Sequence, residues 1–212
     1  EIVESAWSCV HGVERWRSDC GCSTGGPHGW NQRWRGPLRD ALDLVRDAVD
    51  EAFTRRGPAV FADPDAARDD YVTVLLGVRT PDEFAARHVI GDRVEAFTLL
   101  EAARHAMAMY TSCGWFFNDL AGLETVQVMR YAARAVDCLE EIGEPSPLAR
   151  VLDVLATAHS NVPAEGNGRQ VWRRHVDPAR VDADRAVAHL ALVELLEGRE
   201  PAPEVGLFEV EV

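Results

Sequence analysis

The sequence predicts a mainly α protein, an irregular multi-helix bundle with a Trp/Cys/Gly-rich N-terminal loop and the start of a β segment at its C-terminus. Three observations carry this. Apolar residues recur at three- and four-residue spacing through most of the chain. Polar residues followed by Pro or Asp mark helix starts at regular intervals. Strict alternation is confined to the last residues, GLFEVEV.

Taken in order, Glu1–Val3 reads as the tail of an incoming strand or linker. The stretch from Trp7 to Arg35 is broken by Gly12, Gly21, Gly25, Gly26, Gly29 and Pro27 and is therefore turn-rich. Pro37 suits the first turn of a helix to about Phe53, with Leu38, Ala41, Leu42, Val45, Ala48, Val49 and Ala52 as its apolar stripe; Arg56-Gly57-Pro58 is expected to end it. Asp63-Pro64 caps a second helix to about Leu76, and Thr80-Pro81-Asp82-Glu83 starts a short third one. Gly91-Asp92 opens a long fourth helix to about Tyr110. TSCGWFFND interrupts the pattern at Gly114. A fifth helix, Gly122 to Ile142, buries Leu123, Val126, Met129, Ala133, Val136 and Leu139, and Gly143 with Pro145 stops it. Ser146-Pro147 begins a sixth, to about His159. SNVPAEGNG is a loop, QVWRRHV a short helix, and Asp182 to Leu196 a last amphipathic one. Residues 1–200 thus form a helical domain, and residues 201–212 a linker with the first strand of a following β-rich region, because a lone strand is not stable by itself. The absence of an initiating Met also suggests a piece of a longer protein.

At 212 residues, 47% of them hydrophobic, the chain can bury one substantial core. A net charge of -13 argues against nucleic acid as a partner, since phosphate binding needs a basic face. No run of about 18 apolar residues exists to span a membrane, and the start EIVESAWS lacks the features of a secretion signal. Five cysteines, an odd number, fit a reducing cytoplasm better than a disulfide framework.

Three constellations carry chemistry. Cys9-x-His11 and Cys20-x-Cys22, joined by Cys113 in the helix interruption, supply the thiolate and imidazole ligands that zinc or an iron–sulfur cluster requires; the alternative is a set of buried free thiols. Trp7, Trp16, Trp30, Trp34, Trp115, Phe116 and Phe117, with Arg15, Asn31, Arg35 and Asp119, form an aromatic and polar set suited to stacking a sugar face and holding its hydroxyls, although about half of the tryptophans are expected to be core. Glu101, His105 and Met109 share a helical face, with Glu124 near the start of the next helix. That set reads either as an acid–base pair or as a satisfied structural one.

Three blocks, WSCVHGVERWRSDCGCSTGGPHGWNQRWRGPLRDAL, RHAMAMYTSCGWFFNDLAGLETVQVMRYAARA and AHSNVPAEGNGRQVWRRHV, resemble the helical region, domain of unknown function 3536, that lies C-terminal to the barrel in a subset of proteins related to glycoside hydrolase family 57. The resemblance covers most of residues 5–197. It implies an α-glucan or related glycoside as substrate and a retaining mechanism, with a carboxylate nucleophile and a carboxylic acid borne on a distorted (β/α) barrel. This chain lacks the alternating pattern of such a barrel, so neither residue is carried over. By analogy, Trp7, His11, Arg15, Trp16, Trp30, Asn31, Trp115 and Asp119 would line a glycan cleft facing the barrel. The expectation is a cytoplasmic, bacterial-type accessory domain, silent alone, with a catalytic barrel in cis and a glycan as its partners. The alternatives are a zinc or iron–sulfur module, or a purely structural packing domain.

Overall fold

The computed structural model describes residues 9–22 and 26–198, together with the strand residues 204–205 and 208–209. The fold is mainly helical, as the periodicity predicts. A short 3-10 helix, Gly12–Trp16, is followed by irregular chain and then by α1, Arg35–Val60. Next come α2 (Pro64–Asp70), α3 (Val72–Leu75), α4 (Pro81–His88) and α5 (Arg93–Ala108). The interruption holds a single turn, α6 (Cys113–Phe116), before α7 (Leu123–Glu141) and α8 (Leu148–Leu155). The short α9 (Gly168–Val171) runs into a π-helical turn, Trp172–Val176. By compactness the chain divides into two units, Glu1–Pro178 and Ala179–Val212. The second unit contains α10 (Ala183–Glu197), capped by Asp182 and ended by left-handed Gly198, and an antiparallel strand pair, Glu204–Val205 with Phe208–Glu209. The expected incoming strand, Glu1–Val3, lies outside the described residues.

The caps explain the element starts. The Asp63 side chain accepts from the Ala66 N–H, Asp92 accepts from the Glu95 N–H, and Thr80 with Glu83 forms a reciprocal capping box. Contrary to expectation, Gly57-Pro58 does not end α1. Proline forfeits a single amide hydrogen bond, and the chain recovers when the Phe61 N–H reaches the Gly57 carbonyl at 2.8 Å. The sixth helix is shorter than predicted and stops at Leu155.

The core of the first unit forms where α5 packs against α7 and α1, and α1 against α8. Leu38, Ala41, Leu42 and Val45 of α1 are completely buried. Full burial stabilises each large aliphatic side chain by about 1.5–3 kcal/mol. Alanines 96, 102, 103 and 106 on α5, and 132, 133 and 135 on α7, are buried too, and side chains this small let the two helices approach closely. Gly114 has the same role for α6: a Cβ there would stand 2.7 Å from the Val128 Cγ1, so only glycine lets this turn rest directly on α7. No helix among the described residues is long and apolar enough to cross a membrane.

Candidate metal centre

Four of the predicted ligands converge. Cys9 Sγ lies 3.4 Å from Cys22 Sγ, 3.7 Å from Cys20 Sγ and 3.3 Å from His11 Nδ1, and Cys22 Sγ is 3.3 Å from the same nitrogen. All four ligand atoms lie within 4.8 Å of one another, so the group could hold a metal ion. Around a tetrahedral zinc, with Zn–S about 2.3 Å and Zn–N about 2.0–2.1 Å, neighbouring ligand atoms stand about 3.6–3.8 Å apart. Four of the six spacings, those from Cys9 and the one between Cys22 and His11, therefore match the edges of one such tetrahedron to within a few tenths of an ångström. Such spacing leaves no room for a cluster core of several iron and sulfide atoms, and it far exceeds the 2.03–2.05 Å of a disulfide; all five cysteines are free thiols. Cys113 stands outside the group, exposed at the start of α6, and Cys138 is core.

The backbone explains how short spacings converge. Between Cys9 and His11 the chain turns, with Gly12 at φ 65° and its N–H donating to the Cys9 carbonyl at 3.3 Å. The His11 N–H meanwhile donates to Cys9 Sγ at 3.4 Å. Gly21 has φ 76°, a conformation in which a Cβ is strained, and it folds Cys20 and Cys22 to one side. The Asp19 carboxylate fixes this turn by accepting from the Gly21 N–H at 3.1 Å.

The thiols share protons unequally. The His11 amide is the main cause that holds Cys9 down at about 6, against the cost of burial, whereas the bond to Cys9 pushes Cys22 up to about 11. Cys9 is thus ready to be anionic at neutral pH, and Cys22 resists losing its proton until a cation compensates.

The segment is tied down from three sides. The Trp16 indole N–H donates to the Ser112 carbonyl at 3.2 Å, and Arg39 of α1 donates to the Trp16 carbonyl at 3.4 Å. Cys20 Sγ lies 3.6 Å from Gln32 Oε1, which also accepts from the buried Arg35 guanidinium. Asn31 and Asn161 exchange hydrogen bonds of 2.9–3.2 Å, and Asn161 Nδ2 also donates to the Asn118 carbonyl at 2.8 Å. Gln32 is not legible in sequence as part of the centre, because nothing there distinguishes it from a loop amide.

The predicted glycan-lining residues are placed differently from one another. Trp7 lies outside the described residues. Trp115 is 0% exposed and stacks on Tyr110, with ring centroids 6.3 Å apart. Asp119 is buried, and its carboxylate is occupied by Ala121 N–H at 2.8 Å, Ser160 Oγ–H at 2.8 Å and Asn161 N–H at 2.5 Å. Arg15 is buried with its guanidinium 5.6 Å from the Phe116 ring centroid. Trp16 and Trp30 are half-buried, and His11 and Asn31 are exposed.

The third constellation is a closed structural network. Burial tends to raise the Glu101 carboxyl, but hydrogen bonds from His105, Arg104 and Tyr71 outweigh it and hold the group down at about 2. The Tyr71 hydroxyl donates at 2.6 Å and Arg104 at 2.6–3.1 Å, while Met109 is core and Glu124 is not among the partners. A carboxylate so held is a poor proton carrier near neutral pH.

Fold and site together define a helical domain bearing a compact thiolate–imidazole group at its N-terminal end. The chain belongs to the family described as Domain of unknown function (DUF3536), whose pattern matches residues 30–212. The match thus begins after Cys22 and takes in Gln32, Arg35 and all the helices from α1 onward. No curated protein and no solved structure matches the chain.

Proposed function

We propose that this chain is a helical accessory domain whose N-terminal segment folds around one structural zinc ion held by Cys9, His11, Cys20 and Cys22. The observation that carries the reading is the convergence of three thiols and one imidazole, with ligand atoms all within 4.8 Å of one another and four of the six spacings at 3.3–3.7 Å. Four protein ligands fill a tetrahedral ion, so the centre has no position for a reacting water and serves the fold rather than catalysis. Free thiols throughout suit a reducing, cytoplasmic setting. The test is elemental analysis of protein purified without chelator. One zinc per chain is expected, reduced to a trace in the Cys20→Ser, Cys22→Ser variant; a folded wild-type protein carrying neither zinc nor another ion sinks the reading.

The resemblance to proteins related to glycoside hydrolase family 57 supplies the wider setting: a domain seated beside a catalytic barrel in cis and shaping its glycan cleft. What favours a direct lining role is the partial exposure of the Trp16 and Trp30 indoles beside exposed Asn31. In the protein joined to its barrel, an α-glucan oligosaccharide at millimolar concentration should shift tryptophan fluorescence, and Trp16→Ala with Trp30→Ala should abolish most of the response. An unchanged spectrum in the unsubstituted protein would leave the domain with a packing role alone.

A further inference from the structure

Two arginines next to the centre are buried in an unusual way. Arg15 is 3% exposed and Arg35 is 0% exposed, and the Nε of each is buried with no hydrogen-bond partner. Neither forms an ion pair with a carboxylate among the described residues. In a chain with 35 acidic residues, most other arginines of the first unit do, from Arg17 to Arg174. Instead, Arg15 lies 5.6 Å from the Phe116 ring centroid, and Arg35 lies 5.4 Å from that of Trp34 and donates to two neutral oxygens, Gln32 Oε1 and the Phe117 carbonyl, the latter at 3.1 Å. The carboxylate that bears on Arg35 is Asp19, which is exposed and engaged with the Gly21 amide. Burying two guanidinium groups without a carboxylate partner among the described residues is costly unless another anion compensates. Arg35 registers that cost: burial first, and then the like charge of Arg15, lower it to about 10, while Cys20, Asp19 and Cys9 act in the opposite sense.

The metal centre itself can be that anion. A zinc ion with three thiolates and one neutral imidazole carries a net single negative charge, and Cys20 is linked to Arg35 through the single amide oxygen of Gln32. With the zinc, three thiolates, two guanidinium groups and Asp19 counted together, the charges cancel. With neutral thiols they do not. We propose that Arg15 and Arg35 are the built-in counter-charges of an anionic metal centre, positioning residues that favour three thiolates and one imidazole over a neutral site of two thiolates and two imidazoles. This rests on the zinc reading above and adds to it the reason the ligand set is what it is.

The test is a charge cycle on the zinc-loaded protein, read by competition with a chromophoric chelator. Arg35→Met and Arg15→Met should each weaken zinc binding by about 10–100-fold, and Arg35→Lys should restore most of the loss. Cys22→His, which makes the ligand set neutral, should weaken the wild-type site but cost about tenfold less in the Arg35→Met background, because charge has been removed from both sides. With cobalt in place of zinc, Arg35→Met should move the thiolate-to-metal band to lower energy, and Arg35→Lys should move it back. A merely structural arginine would lower thermal stability yet leave the cycle additive and the cobalt spectrum superimposable, and that result overturns the proposal. Arg15, on the short 3-10 helix, gives the same readings should Arg35→Met not fold. If the wild-type protein binds no zinc, the metal reading falls with it; zinc bound as tightly by Arg35→Met and Arg15→Met as by the wild-type protein sinks the counter-charge proposal alone.

Discussion

Zinc withdrawn by a chelator under reducing conditions should unfold residues 9–22 while α1, α5 and α7 stay folded. Hydrogen exchange would show the segment's amides falling to unprotected rates and the helix amides unchanged. The expectation comes from how little else holds the segment. Between Cys9 and Cys22 only Cys9 and Arg15 are buried, and the backbone bonds are a few turn contacts, such as Gly12 to Cys9 at 3.3 Å and Arg17 to Glu14 at 2.9 Å. Ordering costs about 1–2 kcal/mol per residue, so the segment's cost exceeds roughly 10 kcal/mol, more than such contacts return. A structural zinc contributes on the order of 10–16 kcal/mol to small domains that depend on it, which is the right size to close the gap. Protection that survived verified metal removal would mean the segment folds on its own packing, and the thiols would then be ordinary core and rim residues.

How much of this is legible in sequence depends on which forces act locally. The caps at Asp63, Thr80 and Asp92 are, since an N-cap acts through bonds three residues away. The α1 stripe is legible because helical periodicity maps directly onto one face. The passage of α1 through Gly57-Pro58 is not, because whether a proline ends a helix depends on the residues after it, here on the amide of Phe61. Among the ligands, the paired spacings of Cys9 with His11 and Cys20 with Cys22 are visible, and the structure joins the two pairs. Cys113 reads as their companion because it lies in the helix interruption, but it is exposed at the start of α6 and outside the group. Arg35 is legible only as a polar companion of the aromatics. A fully buried guanidinium runs against the ordinary placement of arginine, and its partners come from Gln32 and Phe117, the latter 82 positions away.

Trp115→Ala is expected to destabilise the domain by about 3–5 kcal/mol, lowering the melting temperature by about 10 °C or more. Trp115 is wholly buried, and its ring lies nearly parallel to Tyr110 at an interplanar angle of 10°. Tyr110 passes the contact on: its hydroxyl donates to Asp43, its ring lies 4.3 Å beneath the Arg39 guanidinium, and Arg39 pairs with Asp43 at 3.1 Å. One indole therefore ties the turn α6 to α1, and Arg39 extends the tie to the Trp16 carbonyl in the segment that carries the thiol–imidazole group. Alanine would leave a cavity bounded by α6, where Gly114 already rests against Val128 and can collapse no further. Chemical denaturation of the zinc-loaded protein measures the loss, and chelator competition shows whether the loosened α6 also speeds zinc release, by a few-fold through Trp16. A glycan-stacking Trp115 predicts the opposite pattern, with stability within about 0.5 kcal/mol of the unsubstituted protein and the oligosaccharide response gone. The two roles make contradictory demands on the same ring, since stacking on a sugar requires an accessible face and anchoring α6 requires that there be none.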